Sequence, residues 1–236
     1  DGTKYFEVLN HHTINYIELK DISPYLIDAM VTVEDKDFYR HFGLSPHRIV
    51  KALFDNFVAR EKKYGASTIT QQYARNLYLS FEKTWRRKLQ EAYYAILLET
   101  HYEKNDILEG YLNTIYFGHG IYGVGDAAKF YFNKDVKDLT LKEAVMLTAI
   151  IRAPSYFSPI ENREANEKRS EMILQLLLKE KKITKQQFDQ AIKESALLYG
   201  IDPHNKHLPA PYFQELVNQE LESLNIELDH FIRGIK

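Results

Sequence analysis

The sequence predicts a mainly α-helical protein with a short extended segment at its N-terminus. Two capping boxes, Thr140 with Glu143 and Thr184 with Gln187, each stand at the start of a helical apolar pattern. After the first 19 residues, apolar side chains recur at intervals of three and four instead of alternating. This spacing is typical of amphipathic helices, and a chain of 236 residues is long enough to bury a core beneath them.

The elements are predicted in chain order. The stretch "DGTKYFEVLNHHTINYIEL" is rich in β-branched and aromatic residues and predicts one or two short strands. The Ser-Pro pair at 45–46 predicts a helix start, because proline favours the first helical position. Ser67 is predicted to cap a second helix. A long helix is expected over about residues 84–101, and Asn105 is expected to cap the next one.

Two later stretches bear on loops and domains. The segment "FGHGIYGVG" follows a predicted helix and not a strand, so it predicts tight turns and not a dinucleotide-binding fingerprint. Residues 1–200 are predicted to form one domain. Residues 201–236, beginning near "HNKHLPAPYF", are predicted to be a connector followed by a last helix.

The composition excludes several classes of protein. The formal net charge is −2, which argues against a general nucleic-acid-binding domain, because such domains are strongly basic. The chain has no cysteine, so disulfides and cysteine-ligated metals are excluded, and its histidines form no metal-binding spacing. No apolar run approaches the roughly 20 residues that a membrane span needs. The 17 tyrosines suit a membrane interface, although they suit the edge of any core as well.

The first candidate site is the stretch "VEDKDFYRHFG". Glu34 and Asp35 stand close to Phe38 and His41 in the sequence. Apolar surroundings disfavour the charged form of a carboxylate, which is how proteins prepare a general acid or base. The alternative is a helix end at which the acidic residues and a satisfied histidine serve only the fold.

The second candidate site is the uncharged run "GASTITQQ". On a helix that begins near Ser67, the side chains of Ser67, Gln71 and Arg75 share one face, close to the free N–H groups of the helix start. A hydroxyl, an amide and a guanidinium together suit an anion such as a phosphate or a pyrophosphate. The alternative is a solvated polar face with Ser67 as a simple cap.

The third candidate site lies on the following helix. Lys83, Arg87 and Glu91 are spaced four residues apart, with Lys88 close by. Two neighbouring cationic faces would hold a pyrophosphate between them, with Glu34 or Glu91 as the reacting carboxylate. The alternative is a ladder of ion pairs within the helix, worth only about 0.2–0.5 kcal/mol per pair.

Five segments of the chain, in the expected order, resemble the motifs of the family 51 glycosyltransferases. These segments are "EDKDFYRHFG", "GASTITQQYARNLYL", "RRKLQEAYYAILLE", "EKNDILEGYLNTIYFG" and "EKRSEMIL". The family comprises the peptidoglycan polymerases, which occur alone or as the N-terminal catalytic domain of class A penicillin-binding proteins. The resemblance covers roughly residues 1–178.

The resemblance implies a lysozyme-like, mostly α fold with a large lobe and a smaller membrane-facing lobe. It implies that lipid II, a disaccharide–pentapeptide on undecaprenyl pyrophosphate, is polymerised into β-1,4-linked glycan with inversion at the donor sugar. The implied partners are lipid II, the growing glycan strand and the membrane surface, with division or elongation proteins as further candidates. No cofactor is demanded, although a divalent cation, Mg²⁺ or Mn²⁺, is a candidate.

Roles for individual residues are implied by the same resemblance. Glu34 would be the general base that takes the proton from the acceptor's 4-hydroxyl. Glu91 would lie near the donor's pyrophosphate, where it would orient basic residues or help to hold the divalent metal. The residues implied to bind the substrate or to support the first-motif loop beside it are Asp35, Phe38, His41, Ser67, Gln71, Gln72, Arg75, Lys83, Arg87 and Lys88.

The chain departs from the family's usual motifs at a few positions. The family usually has arginine where Lys83 stands and lysine where Arg75 stands. Both exchanges keep the positive charge but move the bidentate guanidinium from one site to the other. Ala66 replaces a frequent glycine and Ile173 replaces a valine, and none of these changes affects Glu34 or Glu91.

The resemblance also implies where the protein works. The chain begins "DGTKYFEV" with no signal peptide, so we expect it to be part of a longer protein. Such a protein would lie on the outer face of the cytoplasmic membrane, anchored by an N-terminal transmembrane helix absent from this chain. Residues 201–236 would lead toward an absent transpeptidase domain. The amphipathic stretch "VKALFDNFVAREKKY" is expected to lie partly in lipid, or alternatively to pack against the core.

Two functions other than polymerisation are also compatible with parts of the sequence. A hydrolase or lytic transglycosylase of the lysozyme superfamily would also use one essential glutamate, but it would not need two cationic helix faces, because no pyrophosphate leaves. A non-catalytic scaffold that binds cell-wall or division partners would not depend on Glu34 at all. The cationic face at Lys83 and Arg87 therefore favours the polymerase.

Overall fold

The structure is a computed structural model that describes residues 15–48, 67–78 and 84–200. Within these ranges the chain is mainly α-helical, and the only extended pairing is two isolated bridges, Phe42 with Leu44 and Tyr116 with Tyr122. The prediction of a mainly α fold is confirmed. The predicted N-terminal strands fall almost entirely on residues outside the described ranges, and residues 15–18 adopt no regular structure. The division into two lobes stays a prediction.

The described helices are numbered here in chain order. They are α1 (Pro24–Asp35), α2 (Ile69–Tyr78), α3 (Trp85–His101), α4 (Lys104–Thr114), α5 (Val124–Phe132), α6 (Leu141–Ile150), α7 (Pro154–Phe157), α8 (Arg163–Lys179) and α9 (Lys185–Lys193). Short 3₁₀ turns occupy Leu19–Asp21, Phe38–Arg40 and Val136–Asp138. No helix among the described residues is long and apolar enough to cross a membrane.

Several helix starts lie where the sequence predicts them. Both capping boxes, at Thr140 and at Thr184, form as expected. The side chain of Thr84 caps α3 by accepting a hydrogen bond from the backbone N–H of Arg87. Ser45 Oγ accepts from the N–H of Arg48 at 3.4 Å, and residues 46–48 are helical. These starts are set by local side-chain chemistry, which explains why sequence patterns locate them.

Two predicted caps are wrong by one or two residues. Helix α2 begins at Ile69, and its cap is Thr68, whose Oγ1 accepts from the N–H of Gln71 at 3.1 Å. Helix α4 begins at Lys104, because the N–H of Glu103 is bonded by the Asp106 side chain at 3.1 Å, so Asn105 lies inside the helix. In the first case a side chain one residue later than predicted provides the cap, and in the second case the cap lies two residues earlier.

The core is organised around α6. All ten residues of this helix are buried, including Lys142 and Glu143 in its first turn, as expected for a largely apolar helix that is surrounded by other helices. It packs against α1 and α8, while α2 packs against α3 and α4. The C-terminal end of α1 therefore meets the start of α2, and the candidate site residues lie at this junction.

The end of the described chain is fixed to the same core. The N–H groups of Tyr199 and Gly200 donate to the carbonyls of Tyr131 and Phe130, each at 3.0 Å. Gly200 has a φ of +57°, and a Cβ there would lie 2.3 Å from Ile160 Cδ1. The folded unit thus continues to residue 200, whereas the predicted connector and helix at 201–236 lie outside the described residues.

Candidate active site

Glu34 lies near the C-terminal end of α1 and is half-buried. Gln72 of α2 donates from Nε2 to Glu34 Oε2 at 3.0 Å. The hydroxyl of Tyr111 in α4 donates to Gln72 Oε1 at 3.2 Å. Among the described residues, no hydrogen bond reaches Glu34 Oε1, so this oxygen is the one available to an incoming group.

Asp35 is only 1 % exposed and holds the first-motif loop against α2. His41 Nε2 lies 2.8 Å from Asp35 Oδ2, and Arg48 Nη1 lies 2.7 Å from Oδ1. The backbone N–H of Ile69, the first residue of α2, donates to Oδ2 at 3.0 Å. One carboxylate therefore ties the end of α1, the loop after it and the start of α2 together.

The charge state of Asp35 follows from these contacts. Burial raises the pKa of this carboxyl, but the hydrogen bond from His41, the charge of Arg48 and the N–H of Ile69 together outweigh burial. The net result is a pKa of Asp35 below its usual value. The carboxylate of Asp35 is thus charged and holds its neighbours in place, whereas the supporting role implied for it by the resemblance stays a prediction. Any direct contact between Asp35 and a substrate stays a prediction.

A second buried carboxylate, Glu99 of α3, supports the loop from another side. Thr70 Oγ1 donates to Glu99 Oε1 at 2.6 Å, and Lys104 Nζ donates to the same oxygen at 2.7 Å. Lys104 Nζ also lies 4.4 Å from the centre of the Phe38 ring. Phe38 is fully buried, so its contacts are with the protein, and its implied role as support for the loop fits this position.

The start of α2 uses part of the "GASTITQQ" run for its own structure. Gln71 is 5 % exposed, and its Oε1 accepts from the N–H of Thr68 at 3.1 Å. Thr68 Oγ1 in turn donates to the carbonyl of Gly43 at 2.6 Å. Ser67 precedes the helix, so it does not share a helical face with Gln71 and Arg75, and this part of the prediction is wrong. The structure brings Gln72, and not Gln71, into contact with Glu34.

Glu91 of α3 lies at the centre of a cationic cluster. Its carboxylate is 1 % exposed and accepts from Arg87 Nη1 and from Lys88 Nζ, the latter at 2.5 Å. Lys88 Nζ also donates to Ser67 Oγ at 2.7 Å. Two cations share one carboxylate, so the cluster has an excess of positive charge beside the start of α2. Lys83, which was predicted to extend this face, lies outside the described residues.

The described residues around Glu91 do not fit a resident divalent cation. Such an ion needs several oxygen ligands, and here a single carboxylate already accepts from two cationic side chains. In the part of the chain that the structure describes, no group of three or more histidine, aspartate and glutamate side chains could hold a metal ion. The Mg²⁺ or Mn²⁺ suggested by the resemblance stays a prediction.

Arg75 and Arg169 place further positive charge near Glu34. Burial raises the pKa of Tyr111 well above its ordinary value, the charge of Glu34 raises it further, and the charge of Arg75 opposes both. Burial lowers the pKa of Arg169 and so does the charge of Arg152, while Glu34 raises it. Each of these arginines is therefore close enough to interact with the same small region of the molecule.

Arg169 has a buried nitrogen without a described hydrogen-bond partner. It is half-buried, and its guanidinium lies 5.2 Å from the centre of the Phe157 ring. Its Nε is buried and has no hydrogen-bond partner among the described residues. Buried polar groups are normally paired, so this nitrogen is suited to a polar group of a substrate. The sequence contained a signal for Arg169, since it opens the "RSEMIL" part of the fifth motif, but no role was predicted for it.

The arrangement combines two different kinds of chemistry. Glu34 has one oxygen fixed by a neutral amide and one oxygen available, which suits a group that accepts a proton. Arg87 and Lys88 are oriented by a buried carboxylate, which suits the stabilisation of negative charge that develops during a reaction. The start of α2 contacts both groups, through Gln72 and through Ser67.

Comparison with known proteins identifies the family to which the chain belongs. A family model described as "Transglycosylase" matches residues 2–178. "Penicillin-binding protein 2D" of Bacillus subtilis is 42% identical over 222 residues, which are 94% of this chain and 32% of that protein. "Penicillin-binding protein 1A" of Neisseria lactamica is 43% identical over 221 residues, which are 94% of this chain and 27% of that protein. The chain thus spans about a third or less of the length of these curated relatives.

A solved structure was also found. The crystal structure of Penicillin-Binding Protein 1A from Haemophilus influenzae aligns with a TM-score of 0.47 and 24% identity, over 87% of this chain and 20% of that one. The similarity is too distant for individual site residues to be compared.

Proposed function

The chain belongs to the transglycosylase family, and from this premise we propose that it polymerises lipid II into β-1,4-linked glycan strands with inversion at the donor sugar. Family membership makes it a peptidoglycan glycosyltransferase domain of the kind found in class A penicillin-binding proteins. The substrate, the stereochemistry and the released undecaprenyl pyrophosphate belong to the proposal.

The observation that carries the proposal is the environment of Glu34. Its Oε2 accepts one hydrogen bond from a neutral amide, and no described residue donates to Oε1. A half-buried carboxylate with one fixed and one available oxygen is suited to act as a general base. By contrast, the carboxylate of the nearby Asp35 is buried and is held by His41, by the N–H of Ile69 and by an ion pair with Arg48.

In the proposed reaction, Glu34 Oε1 accepts the proton of the acceptor's 4-hydroxyl. The hydroxyl oxygen attacks the anomeric carbon of the donor sugar and forms the new C–O bond. The bond from that carbon to the pyrophosphate breaks on the opposite face, and undecaprenyl pyrophosphate leaves with the electron pair. The proton ends on Glu34, and general-base assistance of this type contributes typically about 10²–10⁴-fold to the rate.

In the proposed reaction, the cationic cluster stabilises the pyrophosphate leaving group. Negative charge grows on the pyrophosphate oxygens as the bond breaks, and cations already in place lower the energy of this state. Arg87 and Lys88 are positioned by Glu91, so little reorganisation is needed when the charge appears. We assign Glu91 to the orientation of these cations, and Arg75 and Lys83 to the same anionic group.

The proposed partners and location follow from the substrate. Lipid II is a membrane lipid, so the domain must work at a membrane surface, on the outer face of the cytoplasmic membrane where glycan is assembled. The growing glycan strand is the second partner. An anchor in a longer protein and contacts with division or elongation proteins remain parts of this proposal.

The test is incubation of the chain with labelled lipid II in detergent, followed by gel separation of glycan products. Glu34→Gln is the test variant, and Glu171→Gln, at an exposed position of α8, is the matched control. A ladder from the parent and the control, but not from Glu34→Gln, supports the proposal. Cleavage of finished peptidoglycan without any ladder would favour the lytic rival instead. Equal activity of Glu34→Gln and the parent would exclude Glu34 as the base.

A further inference from the structure

We propose that Tyr111 is a positioning residue for the base, and that it acts through Gln72 by fixing which end of the Gln72 amide faces Glu34. This inference rests on the proposed role of Glu34 as general base. It adds a residue of the fourth motif segment to the reaction, although Tyr111 itself lies too deep in the protein to touch a substrate.

Three helices contribute to the chain of contacts. Tyr111 of α4 is fully buried, and its hydroxyl donates to Gln72 Oε1 at 3.2 Å. Gln72 of α2 donates from Nε2 to Glu34 Oε2 of α1 at 3.0 Å. The core holds Tyr111 rigidly, because its neighbours Leu112 and Leu108 are also fully buried. The position of the tyrosine hydroxyl is therefore set by packing and not by the site.

The direction of both hydrogen bonds follows from chemistry. An ionised carboxylate only accepts, so the NH₂ end of the amide must face Glu34. The amide oxygen then faces the interior, where it needs a donor. Burial, reinforced by the charge of Glu34, raises the pKa of Tyr111 well above its ordinary value, so the phenol keeps its proton and supplies that donor.

Without the hydroxyl, the amide would lose its preferred orientation. The terminal torsion of glutamine is broad and roughly two-fold, so the oxygen and nitrogen ends exchange places readily. A buried carbonyl oxygen without a donor is unfavourable, and one that turns toward Glu34 repels the carboxylate. In the intact site, the tyrosine excludes this second orientation and keeps Glu34 Oε2 fixed, with Oε1 left for the acceptor hydroxyl.

Other charges near Glu34 stay in place when the hydroxyl is removed. The charged and titratable groups that surround this region are Asp35 of α1, Arg75 of α2, Arg169 of α8 and Arg152 between α6 and α7. Replacement of Tyr111 by phenylalanine changes none of them. A change in kcat would therefore report on the orientation of the amide and not on a lost charge.

Tyr111→Phe is the test variant and Tyr131→Phe is its matched control. Both tyrosines are fully buried, and both hydroxyls donate to an oxygen, since Tyr131 bonds the carbonyl of Phe117 at 2.7 Å. Each variant loses the hydrogen bond that its hydroxyl donates and keeps the ring, and Tyr131→Phe also loses a hydrogen bond with Ser158, so both should unfold at lowered temperatures. Only Tyr111→Phe should affect the reaction.

The expected kinetic result is a split between kcat and KM. Tyr111→Phe should lower kcat for lipid II polymerisation by about tenfold, a fraction of the total general-base effect, and leave KM within about twofold of the parent. Tyr131→Phe should reproduce the kcat of the parent.

A double-mutant cycle tests whether the effect passes through Gln72. Gln72→Met removes both hydrogen bonds, so adding Tyr111→Phe to it should lower kcat no further. Additive losses would show that Tyr111 acts by another route and would overturn the proposal. Equal kcat values for Tyr111→Phe and Tyr131→Phe would overturn it as well.

A measurement that does not need activity separates this inference from the proposed function. In the chain labelled with ¹⁵N-glutamine, the side-chain NH₂ signal of Gln72 is assigned by its loss in Gln72→Met, and it reports on the hydrogen bond to Glu34. This signal should shift in Tyr111→Phe and not in Tyr131→Phe. If the parent makes no glycan, the proposed function fails, while an unchanged Gln72 signal in Tyr111→Phe would overturn the inference alone.

Discussion

Glu34 and Glu91 are the two carboxylates on which the site is built, and they differ in every contact. Glu34 is half-buried and accepts one hydrogen bond, from a neutral amide. Glu91 is 1 % exposed and accepts from two cations, Arg87 and Lys88. The same side chain thus has one oxygen without a described donor at Glu34 and is enclosed by two cations at Glu91, because the partners and not the residue type decide the environment of a carboxylate.

The largest expected effect comes from replacing Glu34, the proposed general base. Glu34→Gln should lower the polymerisation rate by about 10²–10⁴-fold, because the general base is lost. The melting temperature should stay close to that of the parent, since glutamine has the same shape and can still accept from Gln72. Initial rates and thermal melts measure both. A large loss of stability would mean that Glu34, like Glu91, is a structural group.

The second effect concerns the structural carboxylate. Glu91→Gln should destabilise the fold by about 3 kcal/mol, because two cations would lose the charge that balances them in a buried setting. Denaturant unfolding gives this value, with the exposed Glu171→Gln as control. Activity should fall mainly through a raised KM, since Arg87 and Lys88 would be less well oriented. An unchanged unfolding free energy would contradict the assignment.

A third carboxylate, Asp35, is expected to make the unfolding free energy depend on pH. The pKa of Asp35 is lowered in the folded state, so its contribution to stability is present above its unfolded pKa of about 3.9 and is lost as the pH falls through the folded value. We expect the unfolding free energy of the parent to decrease as the pH falls below about 4. In Asp35→Asn this part of the decrease should be missing.

The pH dependence of Asp35→Asn is judged against its stability at neutral pH. Asp35→Asn should also be less stable at neutral pH, by about 2 kcal/mol, because His41, Arg48 and the N–H of Ile69 lose a charged acceptor. Denaturant unfolding of both proteins between about pH 2 and pH 7 measures both effects. Parallel curves for parent and variant would show that Asp35 has no shifted titration.

The smallest expected effect is at the start of the helix that carries Glu91. Thr84→Ala should cost about 1 kcal/mol of stability, because the N–H of Arg87 loses its cap. Thr84→Ser, which keeps the hydroxyl, should restore most of this loss. The polymerisation rate should change little, because the contact between Lys88 and Ser67 remains. A large loss of activity in Thr84→Ala would show that the first turn of α3 is needed to hold the cations.

Sequence patterns located most described helices because their signals are local. The boxes at Thr140 and Thr184 and the cap at Thr84 each join residues three positions apart. The failures have tertiary causes or local competition. Thr68 and not Ser67 caps α2, where its hydroxyl also bonds Gly43, 25 residues earlier. Glu103 precedes α4 in place of Asn105, because Asp106 bonds its N–H.

The candidate site was only partly accessible from the sequence. Motif resemblance identified Glu34, Gln72 and Glu91, which the structure places around the start of α2. The resemblance gave no role to Arg48, Glu99 or Tyr111, although each makes a buried polar contact there. These contacts join residues that are distant in the chain, and no periodicity or spacing encodes them.

The sequence by itself determined the family and the helical class, because motif order, apolar spacing and capping chemistry depend on residues that are close together in the chain. Only the tertiary structure decided which glutamate keeps an available oxygen and which is enclosed by cations. It also decided that Gln72 and not Gln71 reaches Glu34. The physical reason is that burial and hydrogen-bond partners are supplied by other helices, so the properties of a carboxylate are fixed only when those helices pack together.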